Sequence, residues 1–437
     1  MIETSHDEGI QTWLEVIHPV DLADILVELE DEEILEIYQL MDHELVAAVI
    51  EEADDQDQPR LLKLLTFDEI VEVFSYMSAD NITDILGNLP FNDTKRLLKM
   101  MKDENAGTIR KLLGYYADTA GGIMTTEYIA LKQSLTTTEA LLKIKKIGPE
   151  TEIIETIFVT NDSKQLVGTV DLRDILVASS NKPLSEITEY NVISVQAGTD
   201  QEEVAMLVSK YDLNVIPVIN RKDVLIGIIT VDDIIDVIEA ENTEDMFKMV
   251  GIHEEEQELS PPIGASIKKR LPWLYVNLVT AFIAASTIGM FEDLINQVVA
   301  LAVFLPIVAG LGGNSGQQSL AVMIRGLALG EIDYKNGKKT LLKEIAIGLL
   351  NGAAIGLIAG GVAFLWKGNP YIGLVIFLAM VCNMMLGALM GSLIPLGLKA
   401  LGVDPALASS IFLTATTDTF GFFIFLTLAS LFLKFLI

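Results

Sequence analysis

The alternation of apolar and polar positions changes character twice along the chain. Up to residue 120, apolar side chains recur at three- and four-residue spacing, as in Leu22, Ile25, Leu26 and Leu29, then Ile34, Leu35, Ile37, Tyr38 and Met41. That spacing predicts short amphipathic helices separated by brief polar breaks. Over 121–240, short β-branched runs at 156–159 and 215–219 alternate with helical stretches, which predicts an α+β region. An acidic connecting helix is expected over 241–266. From 267 to 437 the pattern becomes five apolar segments, at about 271–291, 294–329, 341–366, 371–398 and 405–436. Crossing a bilayer takes ~20 residues, so each is long enough. The expected architecture is a multidomain membrane protein: an all-α superhelical N-domain, an α+β pair and an all-α transmembrane domain of five helices.

Two internal repeats sharpen this reading. In the first region, Leu22-Ala23-Asp24-Ile25-Leu26-Val27-Glu28-Leu29 resembles Ile82-Thr83-Asp84-Ile85-Leu86-Gly87-Asn88-Leu89, as stacked helical hairpins would. In the second, Gly168-Thr169-Val170-Asp171-Leu172-Arg173-Asp174-Ile175-Leu176 matches Gly227-Ile228-Ile229-Thr230-Val231-Asp232-Asp233-Ile234-Ile235 at an offset of 59. Each copy reads as strand, helix, strand, turn, strand, helix, and two copies imply a pseudo-twofold pair. This arrangement resembles a pair of CBS domains. The resemblance implies binding of an adenine nucleotide such as ATP, with a Thr or Ser and an Asp three residues later at the ribose. Thr230 and Asp233 keep that pattern. The first copy keeps Asp174 but has Asp171 in place of the hydroxyl residue, and the bland alternative is that these aspartates cap their helices.

Charge divides the chain in the same places. The 437 residues carry a formal −31 at pH 7, from 61 acids and 30 Lys/Arg, yet only seven acids and eleven bases fall after residue 260. So acidic a front part disfavours nucleic acid and attracts cations. The start, MIETSHDEGI, lacks the basic residues and apolar run of a signal peptide, so the acidic part is expected in the cytoplasm. Lys268, Lys269 and Arg270, then Arg325, Lys335, Lys338, Lys339 and Lys343, then Lys399, mark one side of the apolar segments. With positive residues inside, five spans leave the C-terminus external to the plasma membrane. The lone Cys382 makes no intramolecular disulfide.

Several acids then stand out. Asp80 and Asp84 are four apart and share a helix face. Asp232, Asp233, Asp236, Glu239, Glu241, Glu244, Asp245, Glu254, Glu255, Glu256 and Glu258 crowd the connector. A charge run is usually a solvated face, but hard oxygens at this density next to a membrane suit Mg²⁺ or Ca²⁺. In the second apolar segment, Asn314, Gln317 and Gln318 follow a glycine-rich stretch, and such groups at membrane depth must line water or bury against protein. Gly348, Gly352, Gly356 and Gly360 in the third segment read as a packing stripe. Asp418 is the only ionisable side chain between 405 and 433. Thirteen residues past Pro405, it is expected ~20 Å into the segment. A lone acid there costs ~2.5–3.5 kcal/mol on insertion scales, so it should face water or a partner, with Thr414 and Thr417 adding hydroxyls. No nucleophile–base set or phosphate loop points to an enzyme.

The order of these parts resembles the MgtE family of magnesium channels over nearly the whole chain. The most specific matches are Gly312-Gly313-Asn314-Ser315-Gly316-Gln317-Gln318-Ser319, Leu401-Gly402-Val403-Asp404-Pro405-Ala406-Leu407, and Thr416-Thr417-Asp418 with Gly421. The resemblance implies a homodimer whose pore is lined by segments two and five. It places recognition of hydrated Mg²⁺ on Asp418 and the pore stretch on Gly313 and Asn314. It implies regulatory Mg²⁺ at Asp80, Asp84 and Asp232, with Asp236, Asp245, Glu254, Glu256 and Glu258 of the connector as further ligands. The expected function is Mg²⁺ influx closed by cytosolic Mg²⁺. The alternatives are a CBS-regulated channel or exchanger for another divalent cation such as Co²⁺, and a non-transporting membrane cation sensor.

Overall fold

The computed structural model describes residues 11, 13, 14, 16–251, 263–332, 337–407 and 409–436. These form two compact units, Met1–Val237 and Ile238–Ile437.

The first unit opens with short helices: α1 (Pro19–Glu28), α2 (Asp31–Tyr38), α3 (His43–Glu52), α4 (Gln58–Lys63), α5 (Phe67–Val73), α6 (Ala79–Asn88), α7 (Phe91–Met100) and α8 (Asp103–Leu112). Polar residues set their starts: Asp42 accepts from the Leu45 amide at 2.8 Å, and Thr66 and Glu69 form a capping box at α5. Helices pack against their second neighbours, α1 on α3, α3 on α5, α5 on α7, α4 on α6 and α6 on α8. That stepping is the expected superhelix, and its core holds Leu22, Leu26, Ile82, Ile85 and Leu86 from the two matching octapeptides. Arg60 ties the steps together, donating to the carbonyls of Val27 and Leu29 at 3.0 and 2.7 Å. It thereby satisfies acceptors at the end of α1.

The paired region follows. Its first copy has β1 (Ala130–Lys132), α9 (Thr137–Ile147), β2 (Thr156–Thr160), β3 (Leu166–Asp171) and α10 (Leu172–Val177). Its second has β4 (Val195–Gln196), α11 (Gln201–Tyr211), β5 (Val215–Ile219), β6 (Leu225–Thr230) and α12 (Val231–Met249). In both, the first strand pairs parallel with the second and the second antiparallel with the third. Even the register shift recurs, at Val159/Thr160 and at Val218/Ile219. Lys164 and Asp223 hold matching left-handed turn positions, with φ of 61° and 58°. The copies grip each other reciprocally: Leu166 donates to the Asp223 carbonyl at 3.0 Å and Leu225 to the Lys164 carbonyl at 3.3 Å. These are equivalent bonds under the 59-residue offset, as a pseudo-twofold pair requires. Helix α12 runs unbroken through position 240.

The second unit contains the rest of α12, then α13 (Ile263–Gly289), α14 (Glu292–Gln297), α15 (Ala300–Ala328), α16 (Gly337–Lys367), α17 (Pro370–Ala400), α18 (Ser409–Leu431) and α19 (Leu433–Leu436). Among the described residues, four helical stretches are long and apolar enough to cross a membrane: Ser266–Gly289 within α13, α16, α17 and α18. The second predicted segment forms α15, 29 residues long, which falls outside that set. The polar run 312–319 dilutes its apolarity. Helix α15 packs on α17 and α18, and α16 packs chiefly on α17. The glycine stripe is the α16–α17 seam: a Cβ at Gly352 would stand 2.9 Å from the Cα of Val381, and one at Gly356 would stand 3.0 Å from the Phe377 carbonyl. Helix α18 starts later than the apolar pattern suggests, because Asp404–Leu407 form a turn that Asp404 closes by accepting from the Ala406 amide at 2.8 Å. Asp418 therefore lies nine residues, or ~14 Å, into α18 rather than ~20 Å.

Candidate cation sites

Within the first unit, α6 brings Asp80 and Asp84 to one face. Asp80 Oδ1 accepts from the Thr125 hydroxyl at 2.9 Å, and Thr125 is buried in the loop that enters the paired region. Beside Asp80, Glu51 at the end of α3 accepts from Asn81 Nδ2 at 3.0 Å. Burial raises the pKa of Asp80, with the Thr125 and Ser78 hydroxyls working against the rise. Burial lifts Asp84 to about 7, aided by repulsion from Asp80, Asp55 and Asp233. Asp84 is nonetheless exposed to solvent, and water screens part of that repulsion. Glu127 is also pushed up to about 7, by burial and then by Asp80, Glu152 and Glu51. Glu152 rises through burial and the charges of Asp80, Asp232 and Asp233.

The helical array and the paired region thus set eight mutually repelling carboxylates together: Glu51, Asp55, Asp80, Asp84, Glu127, Glu152, Asp232 and Asp233. Among the described residues, no three His, Cys, Asp or Glu side chains stand ready to hold a metal ion. The carboxylates repel one another at Coulomb range. Asp80, Asp84 and Asp232 were legible as candidates. Glu51, Asp55, Glu127 and Glu152 were not, because they lie far from Asp232 and Asp233 in sequence and only folding collects them.

At the nucleotide candidates, Thr230 is buried and its hydroxyl donates to Asp233 Oδ2 at 2.7 Å. The Thr230 amide reaches the same oxygen at 3.4 Å, so Asp233 also caps the start of α12. Asp174 is exposed on α10. Asp236 is exposed on α12, one turn beyond Asp232.

In the second unit, the end of α12 seats against the helices of the polar motifs. Met249 packs against a buried cluster formed by Leu320 and Ile324 of α15, Ala406, and Leu413 of α18. Lys248 pairs with Glu244 one turn back and with Asp404 at 2.8 Å, in the turn before α18. Asp245 is pushed up to about 6, first by burial and then by Asp404 and Glu241. Lys248 and Asp404 are the contact that sequence reading missed, although Asp404 lies in one of the quoted motifs. Glu254, Glu256 and Glu258 lie outside the described residues.

Helix α15 has two unlike faces. Gly312, Ser315, Gly316 and Ser319 are buried against neighbouring helices, while Asn314, Gln317 and Gln318 are exposed. Gly313 lies beside Thr417, whose hydroxyl is buried and bonds back to the Leu413 carbonyl at 3.1 Å. Thr414 and Asp418 share the adjoining face of α18, Thr414 exposed and Asp418 half-buried. Among the described residues, the Asp418 carboxylate receives no hydrogen bond or ion pair.

A CBS pair and an acidic helical array, followed by a membrane unit that carries amides and a carboxylate on exposed helix faces, define a membrane protein built around cations. The family models agree part by part: the MgtE intracellular N domain matches residues 17–118, the CBS domain matches 120–181 and 184–240, and MgtE, described as a divalent cation transporter, matches 305–428. The chain is 39% identical over 334 residues to a magnesium transporter MgtE of Enterococcus faecalis, covering 76% of this chain and 73% of that one. It is 36% identical over 333 residues to a magnesium transporter MgtE of Bacillus subtilis, covering 76% and 74%. A solved structure of the cytosolic domain of the Mg²⁺ channel MgtE in complex with ATP superposes with a TM-score of 0.51 at 33% identity, over 54% of this chain and 98% of that one. This chain belongs to the MgtE family of divalent cation transporters.

Proposed function

We propose that the protein is a homodimeric Mg²⁺ channel of the plasma membrane, with five spans, cytoplasmic N-terminal domains and an external C-terminus. Cytosolic Mg²⁺ closes it. The observation that carries this reading is α12, which starts among the eight carboxylates and ends seated on α15 and α18. At low Mg²⁺ the carboxylates repel and hold their surfaces apart. At high Mg²⁺ hydrated ions neutralise them, the surfaces close, and α12 is held in place over the pore helices. Glu254, Glu256 and Glu258 add ligands at the connector in this reading, as do Asp236 and Asp245.

The exposed amide face of α15 supports the dimer, because Asn314 and Gln317 cannot rest against lipid. A second copy placing its own α15 and α18 opposite gives a pore lined by Gly313, Asn314, Gln317, Thr414 and Asp418, with Thr417 behind it. Two Asp418 carboxylates across the axis then select a cation that keeps its water shell. The names of the relatives support Mg²⁺ over Co²⁺ as the cargo. ATP is assigned to the paired domains, where Thr230 and Asp233 set a hydroxyl and a carboxylate side by side for a ribose, with Asp174 in the other copy. A thermal shift with ATP that Thr230→Val abolishes supports that assignment, and an unchanged shift overturns it.

The deciding experiment is Mg²⁺ flux in proteoliposomes containing the full-length protein. Asp418→Ala should abolish uptake with folding intact, and unchanged uptake removes the pore assignment. Asp80→Ala with Asp84→Ala should keep uptake but weaken closure by internal Mg²⁺. No flux at all from the parent protein points to a cation sensor, and preferential Co²⁺ flux to a different cargo.

A further inference from the structure

Asn383 of α17 is fully buried between the two helices that carry the candidate pore residues. Its Nδ2 donates to the Val308 carbonyl of α15 at 2.8 Å. A Cβ at Gly312 of α15 would stand 2.6 Å from Asn383 Cγ. One at Gly421 of α18 would stand 2.6 Å from Nδ2 and 2.8 Å from Oδ1. The carboxamide therefore fills the space of two side chains, and each flanking helix supplies a glycine to admit it. Since a carbonyl only accepts, the nitrogen must face Val308, and Oδ1 then lies 2.8 Å from a Cβ placed at Gly421 and 3.1 Å from one placed at Gly312. Among the described residues, Oδ1 has no hydrogen-bond partner.

Packing alone does not ask for this residue. Leucine has similar bulk and brings no polar atom into the interior, whereas a buried unpaired acceptor is destabilising. A group that costs stability yet holds α15 through its bond to Val308, and sits against Gly312, next to Gly313-Asn314, and Gly421, one turn past Asp418, has the placement of a hydrogen-bonded tie that leucine of like bulk cannot make. We propose that Asn383 is a positioning residue for cation selection: it sets the separation of α15 and α18, and so the width offered to a hydrated ion between the amide face and Asp418. This inference rests on the pore reading above. It adds α17 to a selectivity apparatus otherwise confined to α15 and α18.

The test uses the full-length protein in proteoliposomes, with Mg²⁺ and Ca²⁺ uptake measured separately and thermal stability followed in detergent. Asn383→Leu should melt at or above the parent temperature because it removes the unpaired oxygen. Its Mg²⁺ uptake should fall about tenfold or more, since displacements near 1 Å have effects of that order or larger. Its preference for Mg²⁺ over Ca²⁺ should shift, which a scaffold residue would leave alone. Parental uptake and preference in Asn383→Leu, with Asp418→Ala inactive, overturns the role of Asn383 and spares the pore. Normal uptake by Asp418→Ala overturns the pore reading itself. If Asn383→Leu does not fold, Asn383→Thr is subject to the same criteria.

Discussion

Thr125 donates its hydroxyl to Asp80 at 2.9 Å, joining α6 of the helical array to the loop that enters the CBS pair. The bond places a neutral donor where seven other acids crowd the same region, so it stabilises the charged form of Asp80 in the absence of metal. Thr125→Val keeps the shape and removes the donor. It should destabilise the metal-free protein by about 1–2 kcal/mol, the net worth of one hydrogen bond to a charged group, with Ser78 still donating to Asp80. The deficit should shrink in saturating Mg²⁺, which offers Asp80 another partner. Thermal melts of parent and variant with and without Mg²⁺ read both effects. A deficit that Mg²⁺ leaves unchanged means that Asp80 does not take part in cation binding.

The same crowding fixes the sign of a pH dependence. Asp84 and Glu127 lie at about 7 in the folded protein, against 3.8 and 4.5 as ordinary values. The folded state therefore holds more protons than the unfolded one between those limits, and stability falls as pH rises through that window. Above both folded values the loss is complete. Metal-free protein should melt lower at pH 7.5 than at pH 5.5, within the window those shifts set. Mg²⁺ should raise the melting temperature more at the higher pH, with protons released on binding. Asp84→Asn should flatten the metal-free slope. A metal-free protein that gains stability from pH 5.5 to 7.5 contradicts the cluster.

How much of this was legible follows from how far apart the partners lie in sequence. The CBS pair was visible because its 59-residue offset repeats strands, turn and helix together, and the structure extends that match to the reciprocal bonds of Leu166 and Leu225. The glycine stripe of α16 was visible because a four-residue period is local. The full acidic cluster was not, since Glu51, Glu127 and Glu152 lie far apart in sequence and meet Asp80 only through tertiary packing. Asn383 was missed for a related reason. One amide in an apolar run has no period, and its meaning lies in Gly312 and Gly421, 71 residues before it and 38 after. The start of α18 was misjudged because apolar composition continues through a turn that only the Asp404 cap reveals.

Lys248 offers a direct handle on closure. Its ammonium lies 2.8 Å from Asp404, while Asp245 close by is pushed up to about 6 by burial, Asp404 and Glu241. Replacing the cation leaves three acids facing one another at the end of α12, which should loosen its seat on α15 and α18. Lys248→Met should therefore need more internal Mg²⁺ to shut, by about fivefold to tenfold, the low end of the usual range for coupling between sites. Asp404→Asn added to Lys248→Met should restore part of the shift by removing one of the repelling charges. Flux against internal Mg²⁺ measures both. Equal half-closing concentrations in parent and Lys248→Met would show that this pair does not hold the gate.

Two glycines of one helix separate packing from helix propensity. At Gly352 of α16 a Cβ would stand 2.9 Å from the Val381 Cα and 3.2 Å from the Met380 carbonyl, and this α17 backbone cannot give way as a flexible side chain can. At Gly361, nine residues on, a Cβ meets nothing within 4 Å among the described residues. Leucine improves helix propensity equally at both sites. Within a membrane the α16–α17 association has no hydrophobic drive and depends on close backbone approach. Gly352→Leu must therefore push the two helices apart, and overpacking of this kind costs about 1–3 kcal/mol. Gly361→Leu adds an apolar side chain on an exposed face and should be tolerated. Thermal stability of the two full-length variants in one detergent decides the matter: Gly352→Leu should melt well below the parent and Gly361→Leu close to it. Equal melting temperatures mean that the stripe does not hold the α16–α17 seam.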